Sequence, residues 1–367
     1  MTLFAASDLH LGLSAVAHMF NDARQGRTLA DLCDRVLKAR DGELLLPGDI
    51  FDLTALRPPE HGLEAFASTV QVPIEPPKPR ELPQLMAALR NANPIGLGAL
   101  EKLAARAPVT LIPGNHDRHL GEPGGREALD AAGLKNVRIE PQSVRQIEGR
   151  TIVFQHGHAW DPSNATPAGG GEVMTSVLHN AVVPYLRHLA PRSNVKIDAD
   201  RIVALRPEER VVPVLERWLR PGQFETFLDA FLELLVANGY LSRMVSWLAT
   251  PERIRQRLKA DDDLWEKAGH TAFAALEGRE AIPGRPPPPD IFVLGHTHML
   301  DWAVHEGRPG AQRLYVNLGT WTERAMDAAG PLDATLPLLE ITGASGQLTA
   351  TLSDIAAQRE LQRFETH

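Results

Sequence analysis

The sequence predicts an α/β fold. Three observations point there: short apolar runs that stop at polar or glycine-rich turns, helix-patterned stretches between them, and a 43% hydrophobic content over 367 residues, enough to bury a sizeable core. In order along the chain, residues 2–6, 43–46, 109–112, 151–155 and 291–294 have strand character. Residues 28–39 place Leu29, Leu32, Cys33, Val36 and Leu37 on one helical face, and 97–107 and 126–132 also read as helices. Further strands are expected at 313–317, 338–342 and 347–352. The GASG loop at 343–346 joins the last two, and a helical tail is expected after Ser353.

Two regions interrupt this alternation. Residues 57–83 hold seven prolines and read as an ordered surface loop. Residues 161–289 carry helical patterns almost throughout. They open near the glycine run 169–171, read as a hinge, and close on the stiff run Pro286–Pro289. The expected organisation is a core of residues 1–160 and 290–367 with a helical insertion at 161–289 that serves as lid, cap or interaction subdomain. Within it, Glu225, Asp229 and Glu233 form one stripe of residues 224–248, while Phe224, Leu228, Phe231 and Leu235 form the opposite face. That is an amphipathic helix rather than a membrane span, and its apolar face reads as inter-helix core before it reads as a lipid groove. Arg253, Arg255, Arg257 and Lys259 could meet anionic headgroups in a peripheral membrane contact, but the acids at 261–263 favour a solvated mixed-charge helix.

Composition narrows the chemistry. A single cysteine, Cys33, excludes an intramolecular disulfide and a thiolate metal cluster, and its place on an apolar helix face reads as packing. A net charge of −8 argues against nucleic acid as the main partner. The N-terminal stretch has no basic segment and only a short apolar run, so a signal peptide is not expected, and the expected location is cytoplasmic.

The informative residues follow the strands. Asp8 and His10 come after the first, Asp49 and Asp52 after the second, Asn115, His116 and Asp117 after the third, His156 and His158 after the fourth, and His296 and His298 after the fifth. In an open α/β sheet the carboxyl ends of the strands share one edge, where ligands bind. Five clusters scattered along the chain would therefore converge. Asp8, His10, Asp49, Asn115, His156, His296 and His298 are seven oxygen and nitrogen donors. That is too many for one cation with open positions and suits two divalent cations sharing a carboxylate. Imidazole, carboxylate and amide oxygen together favour Mn, with Fe or Zn as alternatives, over Ca or Mg.

The ordered series D-x-H, GD-x-x-D, GNHD, HGH and GH-x-H resembles the calcineurin-like metallophosphoesterase family. The resemblance implies a four-layer αββα sandwich with Asp8, His10 and His298 on one metal, Asn115, His156 and His296 on the other, and Asp49 bridging. It also implies that His116 acts on the substrate and that Asp117 orients it. Within the family, the helical insertion and the segment VNLGTWTE at 316–323 are similar to the UDP-2,3-diacylglucosamine pyrophosphatases of lipid A synthesis. Those enzymes usually carry Arg in place of His116, Asp in place of His158 and a shorter insertion.

The expected function is a dinuclear metal-dependent hydrolase of a phosphodiester, pyrophosphate or phosphomonoester, in which a hydroxide between the metals attacks phosphorus. The substrate is a small phosphorylated molecule, nucleotide- or lipid-linked. The alternatives are the lipid A enzyme itself, a nuclease and a non-catalytic binding scaffold, and the insertion offers a surface for a homo-oligomer. Asp52 reads as a hydrogen-bond partner of the loop or of a ligand histidine. His158 fits either a group behind a ligand or a substrate contact, Arg118 and His119 fit a solvated loop better than a phosphate site, and Trp321 fits core or pocket wall. His179, His188 and His270 show no partner pattern and read as structural.

Overall fold

The structure, a computed structural model, describes residues 1–13, 18–76, 78, 80–161, 164–167, 169–206, 208–240, 289–306, 312–325 and 327–366. The strands are β1 (Thr2–Ala5), β2 (Gly42–Pro47), β3 (Val109–Ile112), β4 (Arg138–Ile139), β5 (Ser143–Ile147), β6 (Arg150–Phe154), β7 (Ile291–Leu294), β8 (Leu300–Glu306), β9 (Gln312–Leu318), β10 (Pro337–Ala344), β11 (Gln347–Asp354) and β12 (Arg359–Glu365). They form a seven-stranded sheet in the order β12-β11-β10-β1-β2-β3-β4 and a five-stranded sheet in the order β5-β6-β7-β9-β8. β1 to β4 run parallel, as do β6, β7 and β9, so the carboxyl ends of each set share an edge.

Alternation along the strands separates the layers. Leu3, Ala5, Leu45 and Ile112 of the first sheet meet Ile152, Phe154, Ile291, Val293, Leu314 and Val316 of the second in one core between the sheets. The other face of the first sheet, with Phe4, Leu44, Leu46 and Leu111, buries the apolar stripes of α1 (Arg27–Lys38), α3 (Leu82–Ala92), α4 (Pro94–Ala104) and α5 (Gly125–Ala131). These are the two packed sheets and one helical layer of the expected αββα sandwich. On the outer face of the second sheet, Phe292, Leu294 and Tyr315 form a buried cluster drawn from strands alone among the described residues.

A further core lies beside the sandwich. It joins α2 (Leu63–Thr69), α6 (Gly170–Val177), a π-helical turn at Leu178–Val182, α7 (Val183–Leu189), α8 (Val211–Trp218) and α9 (Pro221–Ala237). Phe227 stacks on Tyr185 and Phe231, with Phe66 of α2 edge-on. The acids Glu225, Asp229 and Glu233 face outward, while Phe224, Leu228, Phe231 and Leu235 are buried, so the apolar face of α9 is inter-helix core. Among the described residues, no helix is long and apolar enough to cross a membrane.

Three expectations need correction, and two strands were not foreseen. The proline-rich segment 57–83 is not loop throughout. Leu63–Thr69 lies in its proline-free stretch and turns helical because Leu63 and Phe66 bury against α9. The tail after Ser353 is strand β12, not helix: its backbone pairs with β11, and that ladder overrides a locally helix-tolerant sequence in which only Phe364 is buried. The glycine run at 169–171 is the N-cap and first turn of α6 rather than a hinge, with Gly169 and Gly170 buried. β5 and β8, which lack a clean apolar alternation, form as edge strands of the second sheet. The readings placed on Arg253, Arg255, Arg257 and Lys259, on residues 241–248 and 261–263, on His270 and on Pro286–Pro288 fall outside the described residues.

Phe227 fixes the centre of the helical core. Phe227→Ala should lower the free energy of unfolding by about 3–5 kcal/mol, measured by urea denaturation.

Candidate metal centre

The loops leaving β1 and β2 continue as a ladder beyond the sheet. The Asp8, His10 and Leu11 amides donate to the carbonyls of Gly48, Asp49 and Ile50 at 3.0, 3.0 and 2.9 Å. Such pairing turns side chains inward only if the backbone takes unusual angles. Asp8, His10, Asp49, His296 and His298 all have positive φ, between 51° and 74°. A non-glycine residue in that region carries about 1–2 kcal/mol of strain, and strain of this kind persists where the surroundings over-determine it.

Close approach also needs missing side chains. A Cβ on Gly48, which has φ +91°, would collide with the His156 ring, and one on Gly295 would collide with Ser7 and Asp8. From behind, the Thr320 hydroxyl and the Trp321 amide donate to the Asp8 carbonyl at 2.8 and 3.0 Å. The Trp321 side chain is fully buried, with its indole N–H on the Pro337 carbonyl. Trp321 is thus core and brace rather than pocket wall.

All seven predicted donors come together. Asp8, His10, Asp49 and His298 form one cluster of side-chain nitrogen and oxygen atoms within 4.8 Å of one another, and Asp49, His156 and His296 form a second. Asn115 joins the second: its Oδ1 lies 3.1 Å from His156 Nε2 and 3.0 Å from His296 Nδ1. Asp49 belongs to both, with Oδ2 3.0 Å from His156 Nε2 and Oδ1 accepting from the His116 amide at 2.8 Å.

Proton positions test whether these atoms fit a cation. His156 Nδ1 donates to the Pro47 carbonyl at 3.0 Å, and burial lowers the pKa of the ring, so Nε2 is a bare lone pair. His296 Nε2 faces the Asp161 carboxylate at 2.9 Å, which leaves Nδ1 of a neutral ring bare as well. Two imidazole lone pairs, an amide oxygen and a carboxylate oxygen then point at one another with no proton to share. That arrangement fits a divalent cation.

The first cluster is different. Arg206 Nε donates to His298 Nδ1 at 2.8 Å, and burial, helped by the Arg206 charge, lowers the His298 pKa. The proton of His298 then sits on Nε2, 2.9 Å from His10 Nε2. The donor set fits a cation there too, one that displaces this proton. Burial, with Asp49 as a like charge, pushes the Asp8 carboxyl up.

His116 is held by Asp52, not by Asp117. Asp52 Oδ1 is 3.0 Å from His116 Nδ1, and Asp52 Oδ2 is 3.7 Å from His10 Nδ1. Burial would lower the His116 pKa, but the Asp49 and Asp52 carboxylates outweigh it and raise the value to about 9. Asp117 instead accepts from the Ile50, Phe51 and Gly114 amides at 2.8, 3.2 and 2.6 Å and pins two site loops together. Burial and Asp49 raise its pKa to about 7, against those three amides.

The sequence did not single out Asp161, Asn164 or Arg206, since each is a lone residue with no spacing pattern. His179, expected as structural, lies where the charges of Asp52, His116, Arg206 and His10 all act on its ring, and burial drives its pKa to about 4. Asn180 beside it donates to the Ala55 and Arg57 carbonyls at 3.0 and 3.1 Å, tying the π-helical turn to the loop after Asp52. His158 sits 5.4 Å, ring to ring, from His156, with burial and the neighbouring imidazoles lowering its pKa to about 3. Arg118 pairs with Glu172 of α6, and His119 with Glu122. Cys33 is buried, its thiol pushed up to about 12 by burial and Asp34, as packing requires.

The sequence matches no family model and no curated protein. Among solved structures, the chain is similar to a dimetal phosphatase from Danio rerio at 11% identity and TM-score 0.36, covering 100% of this chain and 98% of that one. It is similar to wild-type Vps29 complexed with Zn²⁺ from Entamoeba histolytica at 12% identity and TM-score 0.33, covering 100% and 99%. A conserved uncharacterized protein from Streptococcus pneumoniae, a predicted phosphoesterase, matches at 10% identity and TM-score 0.32, covering 99% and 97%. With TM-scores this low, the side chains of the site itself carry the functional reading.

Gly48→Ala forces an alanine into a positive-φ position against His156. It should lower stability by about 1–3 kcal/mol, read as a drop in the midpoint of thermal unfolding.

Proposed function

We propose that this chain is a metal-dependent hydrolase of phosphoric ester or anhydride bonds and belongs with the metallophosphoesterases. Asp8, His10 and His298 would hold one divalent cation, Asn115, His156 and His296 a second, and Asp49 would face both. The observation that carries this reading is the second cluster: Asp49 Oδ2, His156 Nε2, Asn115 Oδ1 and His296 Nδ1, each about 3 Å from the next, with His156 donating from its other nitrogen to the Pro47 carbonyl and His296 turning its other nitrogen to Asp161. Two bound cations supply Lewis acidity toward phosphoryl oxygens and lower the pKa of water. The mixed nitrogen and oxygen donors suit Mn, with Fe and Zn as alternatives.

The rest of the chemistry belongs to the protein's own groups. With its pKa near 9, His116 is an imidazolium at neutral pH, its Nδ1–H directed to Asp52. That leaves Nε2–H to donate to a phosphoryl or leaving-group oxygen, a role worth about 10²–10⁴ in rate. Asp117 acts on His116 only through the backbone it pins. The described helical part of the 161–289 segment brings Arg206 onto His298, and His179 within reach of the Asp52 and His116 charges, as a cap over the centre would. Because the apolar face of α9 is spent on Phe66 and Tyr185, that face does not favour an acyl chain, and a small phosphorylated substrate is the better reading.

The test is turnover of bis(p-nitrophenyl) phosphate and p-nitrophenyl phosphate with added Mn²⁺. No turnover of either, in protein shown by elemental analysis to hold two cations per chain, would favour the scaffold alternative. Asp49→Ala should lose both cations. His116→Ala should keep both while kcat falls about 10²–10⁴-fold, and equal loss of metal would make His116 a ligand instead.

The pH profile checks the same assignment. The donating imidazolium is present below its pKa and lost above it, so kcat should fall as pH rises through about 9. His116→Gln should remove that alkaline limb.

A further inference from the structure

Four side chains form a ring of polar contacts around one side of the second cluster, three of them hydrogen bonds. Asp161 Oδ2 takes contacts from His296 Nε2 at 2.9 Å and from Asn164 Nδ2 at 2.7 Å. The Asn164 amide then turns its Oδ1 toward Asn115, which donates Nδ2 to it at 3.4 Å. Asn115 in turn brings Oδ1 to 3.0 Å from His296 Nδ1, and this fourth contact is the one that faces the cluster.

Each member except one can be turned end for end. Imidazole has two tautomers, and each amide has a donor end and an acceptor end. The carboxylate alone accepts at both oxygens, so Asp161 fixes the sense of the whole ring. From it, His296 must carry its proton on Nε2, Asn164 must direct NH₂ to Asp161, and Asn115 must direct its NH₂ outward. The result is that His296 Nδ1 and Asn115 Oδ1 both face inward as bare acceptors.

The ring is braced by the helical segment that follows. A Cβ on Gly171, in the first turn of α6, would collide with Asn164, which is itself buried. The Asn164 and Ala165 amides also donate to the Asp161 carbonyl at 2.9 and 2.8 Å.

We propose that Asp161 and Asn164 are positioning residues that set the polarity of the second metal site, through the ring they close with His296 and Asn115. The inference rests on the reading of that cluster as a cation site. It makes the start of the helical segment part of the metal site, although neither residue faces the cation.

The experiment titrates Mn²⁺ into full-length, metal-stripped wild type, Asp161→Ala, Asp161→Asn and Asn164→Ala by calorimetry. The alanine variant at 161 should weaken one of the two sites about 10–100-fold and leave the other unchanged. Asparagine at 161 keeps an acceptor and should restore most of that loss. Asn164→Ala should weaken the same site. Equal weakening of both sites, or no weakening in Asp161→Ala, overturns the proposal. Wild type that binds fewer than two cations overturns the metallophosphoesterase reading itself.

A second readout needs no metal. Long-range ¹⁵N–¹H spectra of histidine-labelled, metal-stripped protein should show His296 as the Nε2–H tautomer in wild type and as a mixture in Asp161→Ala. The Nδ1–H tautomer in wild type overturns the assignment of ring polarity.

Discussion

The second cluster holds its acceptors together against their own repulsion. Asp49 Oδ2, His156 Nε2, Asn115 Oδ1 and His296 Nδ1 each lie about 3 Å from the next, largely buried, while the outer polar ends of these side chains face the Pro47 carbonyl, Asp161 and Asn164. Converging lone pairs are unfavourable in a medium that cannot solvate them. The surrounding structure must therefore impose the arrangement, and several features of the fold do so. The left-handed residues at Asp8, His10, Asp49, His296 and His298, the glycines at 48 and 295, and the Thr320 and Trp321 contacts behind Asp8 all force side chains toward one centre.

The two halves of the centre are built on different logics. The second has its protons removed in advance by acceptors, so a cation finds lone pairs waiting. In the first, Arg206 donates to His298 and leaves a proton between two imidazoles. Arg206 is anchored to the Val203 and Leu205 carbonyls, and its segment is stitched to Ala325 by backbone bonds in both directions. The helical region thus reaches both clusters, at Arg206 for one and at Asp161 and Asn164 for the other.

His116 shows how charge and burial compete beside the donors. Desolvation favours the neutral ring, yet two carboxylates raise its pKa to about 9. His179 experiences the same burial beside a mixture of cationic and anionic neighbours and is driven to about 4. Two histidines whose charges act on one another therefore hold opposite protonation states at neutral pH, one as a donor and one as a neutral ring.

The sequence alone determined the donor set and the sheet that carries it. Each candidate donor sits where an apolar run ends, and strand ends are readable because burial imposes a period on the residues before them. β1, β3 and β7 were legible to within a residue for this reason, as were α1 and α5. Tertiary structure decided the rest. β12 and α2 exist because a partner strand and a partner helix bury what their own sequences leave ambiguous. Asp52 rather than Asp117 orients His116, and Asp161, Asn164 and Arg206 act at the centre, because hydrogen-bond partners are chosen by position in space. An isolated carboxylate or guanidinium carries no period by which a sequence could announce it.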